Sequence, residues 1–212
     1  FCQELRNYRE LSDVSINHCI QNIQTCLNHC IDMGVLPYQN NRHSWINGEG
    51  KFKLTKLKIT KQPKVILTPG QVDQFYQAAK NIFNNEALAD TVLVSAWSGL
   101  GWAEYSQLTS EDFHLGAPVP YVAIGERKGW TLKTPFRKRR VYLPVGSAGY
   151  ERLLPIFTRN LEGCTDSSVQ MFGDLFASQD MHRVKFNDVR DYLGLPERLT
   201  PYCLRHTFCS WL

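Results

Sequence analysis

Three short stretches of this 212-residue chain hold side chains whose types and spacing could do chemistry. The first is Ser98-Gly99-Leu100-Gly101-Trp102-Ala103-Glu104, an acid behind two glycines. The second is Lys133-Thr134, inside a basic stretch. The third is Thr200-Pro201-Tyr202-Cys203-Leu204-Arg205-His206-Thr207-Phe208, where a phenol, a guanidinium and an imidazole follow one another closely. Guanidinium and ammonium groups suit an oxyanion, because their hydrogen bonds to it are charge-assisted. Other chemistries lack their residues. The chain has no Walker loop, GxGxxG, HExxH or GxSxG, so P-loop hydrolysis, hydride transfer and serine-hydrolase chemistry have no foothold.

The charge pattern points to a polyanion. Net charge is only +4, but 13 of the 24 Lys and Arg lie in two acid-free runs. Residues 51–64 carry Lys51, Lys53, Lys56, Lys58, Lys61 and Lys64. Residues 127–140 carry Arg127, Lys128, Lys133, Arg137, Lys138, Arg139 and Arg140. Two such runs favour nucleic acid over a pair of solvated loops. Neither run is an amphipathic helix, which disfavours a membrane surface, and no apolar run approaches the roughly 20 residues of a membrane span. Seven cysteines, an odd count scattered along the chain, fit reduced thiols in a cytosolic compartment better than a disulfide framework. Cys19, Cys26 and Cys30 lie near histidines but form no C-x-x-C pair. They read instead as part of an apolar stripe with Ile16, Ile20, Ile23, Leu27 and Ile31, so packed thiols are expected and a metal site is not.

The elements that must position these residues are legible from caps and periods. A helix is expected over 12–33, capped by Ser12 or Asp13 and stopped by Gly34. Thr68-Pro69-Gly70-Gln71 predicts a helix start with a capping box, and Val72, Phe75, Tyr76, Ala79 and Phe83 should face a core. Residues 86–98 are apolar almost all round, so a buried helix closed by Gly99 is expected, followed by a short helix over 102–108. Tyr121–Ile124 and Arg140–Leu143 read as antiparallel strands around the basic loop. Tyr150, Leu153, Leu154 and Phe157 mark one more helix. Val184, Val189, Tyr192 and Leu193 mark another, ending at Gly194. Thr200-Pro201 starts the last, with Cys203, Leu204, Thr207, Phe208 and Trp211 as its stripe. The class is mostly α with a small antiparallel β-sheet (α+β).

Leu-Arg-His-Thr-Phe at a helix start after Thr-Pro resembles the second signature box of the tyrosine recombinases, the phage and transposon integrases. The order of the remaining features agrees over about the whole chain. Ser98 to Glu104, with Leu108 and Glu111-Asp112-Phe113 behind, resembles that family's first box. Lys133-Thr134 ahead of Arg139 to Pro144 resembles its lysine hairpin. Leu67-Thr68-Pro69 resembles the start of its catalytic domain, and helix 12–33 the end of its core-binding domain. The division this implies is residues 1–36 as part of the core-binding domain, 37–66 as a basic linker and 67–212 as the catalytic domain, cut before the nucleophilic tyrosine. Both ends of the chain look like fragment ends.

The resemblance implies DNA cleavage and rejoining through a 3′-phosphotyrosyl bond, for a mobile element, inside the cell with the nucleoid. Double-stranded DNA is the implied partner, with self-assembly into a dimer or tetramer on it, and no cofactor or metal is needed. Arg205 would clamp the phosphate and Lys133 would protonate the leaving oxygen, with Lys128 and Lys138 as rivals for that role. Tyr202 stands where the family often has His or Lys and could donate one hydrogen bond; it is not the nucleophile. His206 reads more readily as a structural histidine than a catalytic one, and Glu104 as a structural acceptor. Lys51, Lys53, Lys56, Lys58, Lys61, Arg137, Lys138, Arg139 and Arg140 would contact DNA. The chain departs from the family at Gly101, which occupies the place of the first-box arginine; no arginine lies between Arg42 and Arg127. The third box and the tyrosine do not occur before Leu212. The expectation is a chain that binds DNA and does not cut it. The rivals are a non-catalytic DNA-binding relative or accessory protein and, more weakly, a basic RNA-binding module.

Overall fold

The computed structural model describes residues 4, 11–36, 54–59, 63–127, 129–132, 134–164 and 179–212. Contacts divide the chain into two units, Phe1–Pro63 and Lys64–Leu212. Among the described residues no helix is long and apolar enough to cross a membrane.

The first unit is built on helix α1 (Asp13–Asp32). The Ser12 hydroxyl accepts from the Ser15 amide, as an N-cap does, and Gly34 follows the helix at φ +72°. The buried face is narrower than the expected stripe: Ile16, Asn17 and Ile20 are buried, Cys19 and Cys30 are half-buried, and Cys26 and Ile23 are exposed. The packed-thiol reading is therefore corrected for Cys26. A polar row explains the difference. Asn17 donates to the Leu57 carbonyl (2.8 Å) and accepts from its amide (2.7 Å), Gln24 accepts from the Leu54 amide, and Lys56 donates to Gln21. These three side chains lie at i, i+4 and i+7, so one helix face holds residues 54–59, which have no regular element of their own.

The second unit begins with α2 (Pro69–Gln77), whose capping box is formed as expected: Thr68 accepts from the Gln71 amide and Gln71 accepts from the Thr68 amide. A π-helical turn, Ala78–Ile82, continues it. That wider turn rotates the register, so Ala78 and Ala79 are buried and Phe83 is 38% exposed, where the 3.6-residue period placed it in the core. Helix α3 (Glu86–Ser98) is buried nearly all round and forms the centre of the unit. Gly99 closes it at φ +67°. Helix α4 (Trp102–Tyr105) is shorter than expected.

Three antiparallel strands follow, in the order β1 (Phe113–His114), β2 (Tyr121–Ile124), β3 (Arg139–Tyr142). β1 was not apparent from the sequence, being two residues long. Val122 pairs with Val141 and Ile124 with Arg139. The alternation puts Val122, Ile124 and Val141 on the buried face, together with Arg139, and sends Arg140 and Tyr142 outward. Helix α5 (Ala148–Glu162) packs on α3. Helix α6 (Gln179–Tyr192) buries Phe186 and Val189, whereas Val184 and Tyr192, which mark it in the sequence, are exposed. Helix α7 (Pro201–Trp211) buries Cys203, Leu204 and Thr207 against α3. Its Thr207 hydroxyl accepts from the Leu67 amide, and the Trp211 indole donates to the Leu67 carbonyl.

Candidate functional site

The first and third sequence stretches meet where α3 ends and α7 begins. Gly99 makes this possible. Its positive φ suits glycine, and a Cβ there would lie 2.4 Å from the Phe208 ring on α7. The close approach lays Leu100-Gly101 beside Arg205. A Cβ built at Gly101 would stand 3.7 Å from Arg205 Nη1 and 3.6 Å from Glu104 Oε2, ordinary contact distances, and φ −77° at Gly101 suits any residue. Position 101 therefore faces Arg205 directly and has room for a side chain.

Glu104 organises the site. It is buried, and its carboxylate accepts four hydrogen bonds: two from Arg139 (2.8 and 2.9 Å), one from Arg205 (3.1 Å) and one from the Gly101 amide (3.0 Å). Burial pushes its pKa up, but the Arg139 hydrogen bonds, the Gly101 amide and the two arginine charges outweigh it and hold the carboxyl below the ordinary glutamate range. Two guanidinium groups thus share one carboxylate, and the cluster keeps a net positive charge. Arg139 was grouped by sequence with the DNA-contacting residues; both of its terminal nitrogens are on Glu104 instead. Arg127 is likewise turned to structure, donating to Asp112 and to Thr109.

Arg205 sits in the first turns of α7 and keeps most of its donors clear of Glu104, since a single nitrogen makes that contact. It lines a cleft of about 290 Å³ with Gly101, Trp102, Tyr202 and Arg183. Tyr202 is 64% exposed, so its hydroxyl is accessible from that cleft. His206 stands edge-on to the Tyr202 ring, and its Nδ1 is 3.3 Å from Lys64 Nζ. Burial lowers its pKa, and the charges of Lys64 and Arg205 lower it further, so a neutral imidazole at pH 7 fits the structural role.

Of the remaining expected site residues, Lys56, Lys58, Lys138 and Arg140 are exposed, Arg137 is half-buried, and Arg140 lies over the Tyr121 ring. Lys51, Lys53, Lys61, Lys128 and Lys133 lie outside the described residues. Sequence reasoning missed Arg183 beside Arg205 in the cleft and Lys64 beside His206. It also missed the inward turn of Arg139, although the alternation of Arg139, Val141 and Leu143 with Arg140 and Tyr142 carried that signal. Among the described residues no group of three or more His, Cys, Asp or Glu could hold a metal ion.

No protein-family model matches this chain, and no curated protein matches it in sequence. Solved structures do match in fold. A Tn1549 transposon integrase in complex with a circular intermediate DNA superposes with TM-score 0.68 at 20% identity, over 100% of this chain and 70% of that one. The same integrase in complex with transposon right end DNA gives 0.67 at 19% identity, over 100% and 70%. This is the tyrosine-recombinase fold. A XerH site-specific recombinase bound to its difH substrate shares the tyrosine-recombinase fold at TM-score 0.57 and 18% identity, over 99% of this chain and 57% of that one.

Proposed function

We propose that this chain is the core of a site-specific DNA recombinase of the tyrosine type, serving a mobile element. The observation that carries the reading is Arg205: a guanidinium at the start of a helix, oriented by a buried carboxylate, facing an open cleft in a tyrosine-recombinase fold. A phosphodiester in that cleft would meet charge-assisted hydrogen bonds from donors already in place, and these strengthen as the phosphorane gathers negative charge. In the reaction the tyrosine oxygen bonds to phosphorus, the bond from phosphorus to the 5′-oxygen breaks, and Lys133 supplies the proton that the departing oxygen takes. Tyr202 donates one further hydrogen bond. Glu104 and Arg139 position Arg205 and do not touch the substrate. Residues 1–36, the linker over 37–66 and the exposed Lys138 and Arg140 grip the duplex backbone, and two or four copies assemble on it. The substrate is double-stranded DNA inside the cell.

Gly101 favours a second reading, a DNA-binding relative without cleavage. Losing one preorganised donor to a transition-state oxyanion costs about 3–4 kcal/mol, a hundred- to thousandfold in rate.

Binding is tested by fluorescence anisotropy on labelled duplex DNA over about 50–200 mM salt, where contacts to six or more phosphates would lower affinity about a thousandfold or more. Replacing Lys53, Lys56 and Lys58 together with Ala should weaken binding to every sequence alike and flatten the salt dependence. A slope the triple variant leaves unchanged removes these lysines from the interface. No binding to duplex DNA at low salt overturns both readings.

A further inference from the structure

Gly101 leaves Arg205 as the one guanidinium that the signature boxes bring to the cleft, yet a second guanidinium lines it. Arg183 belongs to α6, a helix that neither box includes. Its placement follows from packing. Phe186, three residues on, is fully buried; its ring is 4.7 Å from Phe75 and meets Trp102 edge-on at 6.1 Å. Residues three apart share a helix face, and helical side chains lean toward the N-terminus, so Arg183 projects past Trp102 into the cleft beside Gly101. The other end of α6 is pinned as well. Arg190 is buried and donates to the Glu197 carbonyl (2.9 Å) and to Asn187 (3.0 Å), tying α6 to the turn that leads into α7. The helix of Arg183 is therefore tied to the turn before the helix of Arg205 by a contact outside the cleft.

The lining suits an anion. Among the described residues around the cleft two are arginines, one is a phenol and none is acidic. Leu100 and Trp102 give it an apolar wall, against which a sugar can pack, and the low polarity there strengthens charge-assisted hydrogen bonds. Arg139 is the other candidate for a second arginine, but its fork is closed on Glu104.

We propose that Arg183 is the second phosphate-binding arginine of this site, reaching from α6 into the space that Gly101 leaves open, and that its ligand is a DNA phosphodiester. The proposal rests on Arg205 being a phosphate ligand, and the experiment separates the two claims.

The probe is the dinucleotide thymidylyl-3′,5′-thymidine, which carries a single phosphodiester, titrated into the full chain at low salt and followed by its phosphorus NMR line. Arg183→Ala should weaken binding about tenfold or more, as loss of a hydrogen bond to a charged group does. Arg183→Lys should fall between Arg183→Ala and the parent, because a lysine keeps the charge and loses the fork. Arg205→Ala should also weaken binding, and Lys185→Ala, exposed two residues along the same helix, should not. The neutral methylphosphonate analogue should bind the parent and Arg183→Ala alike. Arg183 is exposed, so its truncation leaves the Phe186 contacts in place. If Arg183→Ala binds like the parent while Arg205→Ala does not, the proposal is overturned and the reading of Arg205 stands. If Lys185→Ala loses as much as Arg183→Ala, the effect is general charge and the proposal is overturned. If the parent fails to bind, or Arg205→Ala changes nothing, both claims fall.

Discussion

Glu104 is a buried acid whose ionisation depends on the residues around it. Its carboxyl is held below the ordinary range, so the native state releases that proton more readily than the unfolded chain does. The resulting stabilisation is present above the unfolded value of 4.5 and is lost as pH falls through the lower native value. Glu104→Gln should therefore destabilise the protein by about 2–3 kcal/mol at pH 7, as breaking a buried, hydrogen-bonded ion pair does, with a gap that closes in acid. Chemical denaturation at several pH values checks this. A gap that persists unchanged below the native pKa would show that the charge is not what Glu104 contributes. The acid itself was legible in the sequence as the acceptor of the first box. Its partner was not, because Arg139 and Arg140 are adjacent and alike, and only the strand register turns one to Glu104 and the other to solvent.

Among the elements, α3 has the most to say about stability. Gly99 at its end is constrained twice, by its left-handed φ and by the Phe208 ring that a Cβ would strike. Gly99→Ala should cost about 2 kcal/mol or more, combining backbone strain with overpacking. Phe208→Leu in the same chain should recover part of that by making room, and full tolerance of Gly99→Ala would refute the close approach of α3 to α7. Farther along the helix, Asp90 is buried with Oδ2 on Arg159 and Oδ1 without a hydrogen-bond partner among the described residues. Burial pushes its pKa from 3.8 to about 6, against the pull of the Arg159 charge. A raised native pKa means the contribution of Asp90 is full below 3.8 and declines as pH rises toward 6. The stability of Asp90→Asn relative to the parent should thus rise between pH 4 and pH 7, as thermal melts across that range would reveal. A relative stability flat with pH would mean that Asp90 stays ionised throughout. The helix starts at Thr68 and Thr200 and the stops at Gly34, Gly99 and Gly194 were legible because caps are local chemistry. The exposure of Phe83 was not, since a π-helical turn leaves no mark on the apolar period that precedes it.

The recombination reading concerns the whole molecule and calls for a cleavage test. In a polypeptide that carries the third box and the nucleophilic tyrosine and in which Arg183 is replaced by Ala, Gly101→Arg should raise cleavage a hundred- to thousandfold, on the order of the worth of one oxyanion donor. Arg205→Ala in that polypeptide should abolish cleavage. Lys133→Ala should slow it, and a 5′-bridging phosphorothiolate should restore the rate, because a thiolate departs without a proton. Rescue of neither variant would pass the general-acid role from Lys133 to Lys128 or Lys138. Full cleavage with Gly101 in place would mean that the phosphate already has its second arginine, which is the role proposed for Arg183.

The sequence by itself determined which segments become helices, the antiparallel pairing around the basic loop, and the place of Arg205 in the first turns of the last helix, because caps and periods are written within a few positions of one another. Only the tertiary structure decided which guanidinium groups line the cleft and which hold the fold. Arg127, Arg139, Arg140 and Arg183 are chemically the same. Their surroundings differ: Asp112 and Thr109 take the first, Glu104 the second and the Tyr121 ring the third, while the fourth lines the cleft beside Gly101. Those surroundings are contributed by residues distant along the chain, and a guanidinium's role follows from the groups that share its low-dielectric space, which folding assembles.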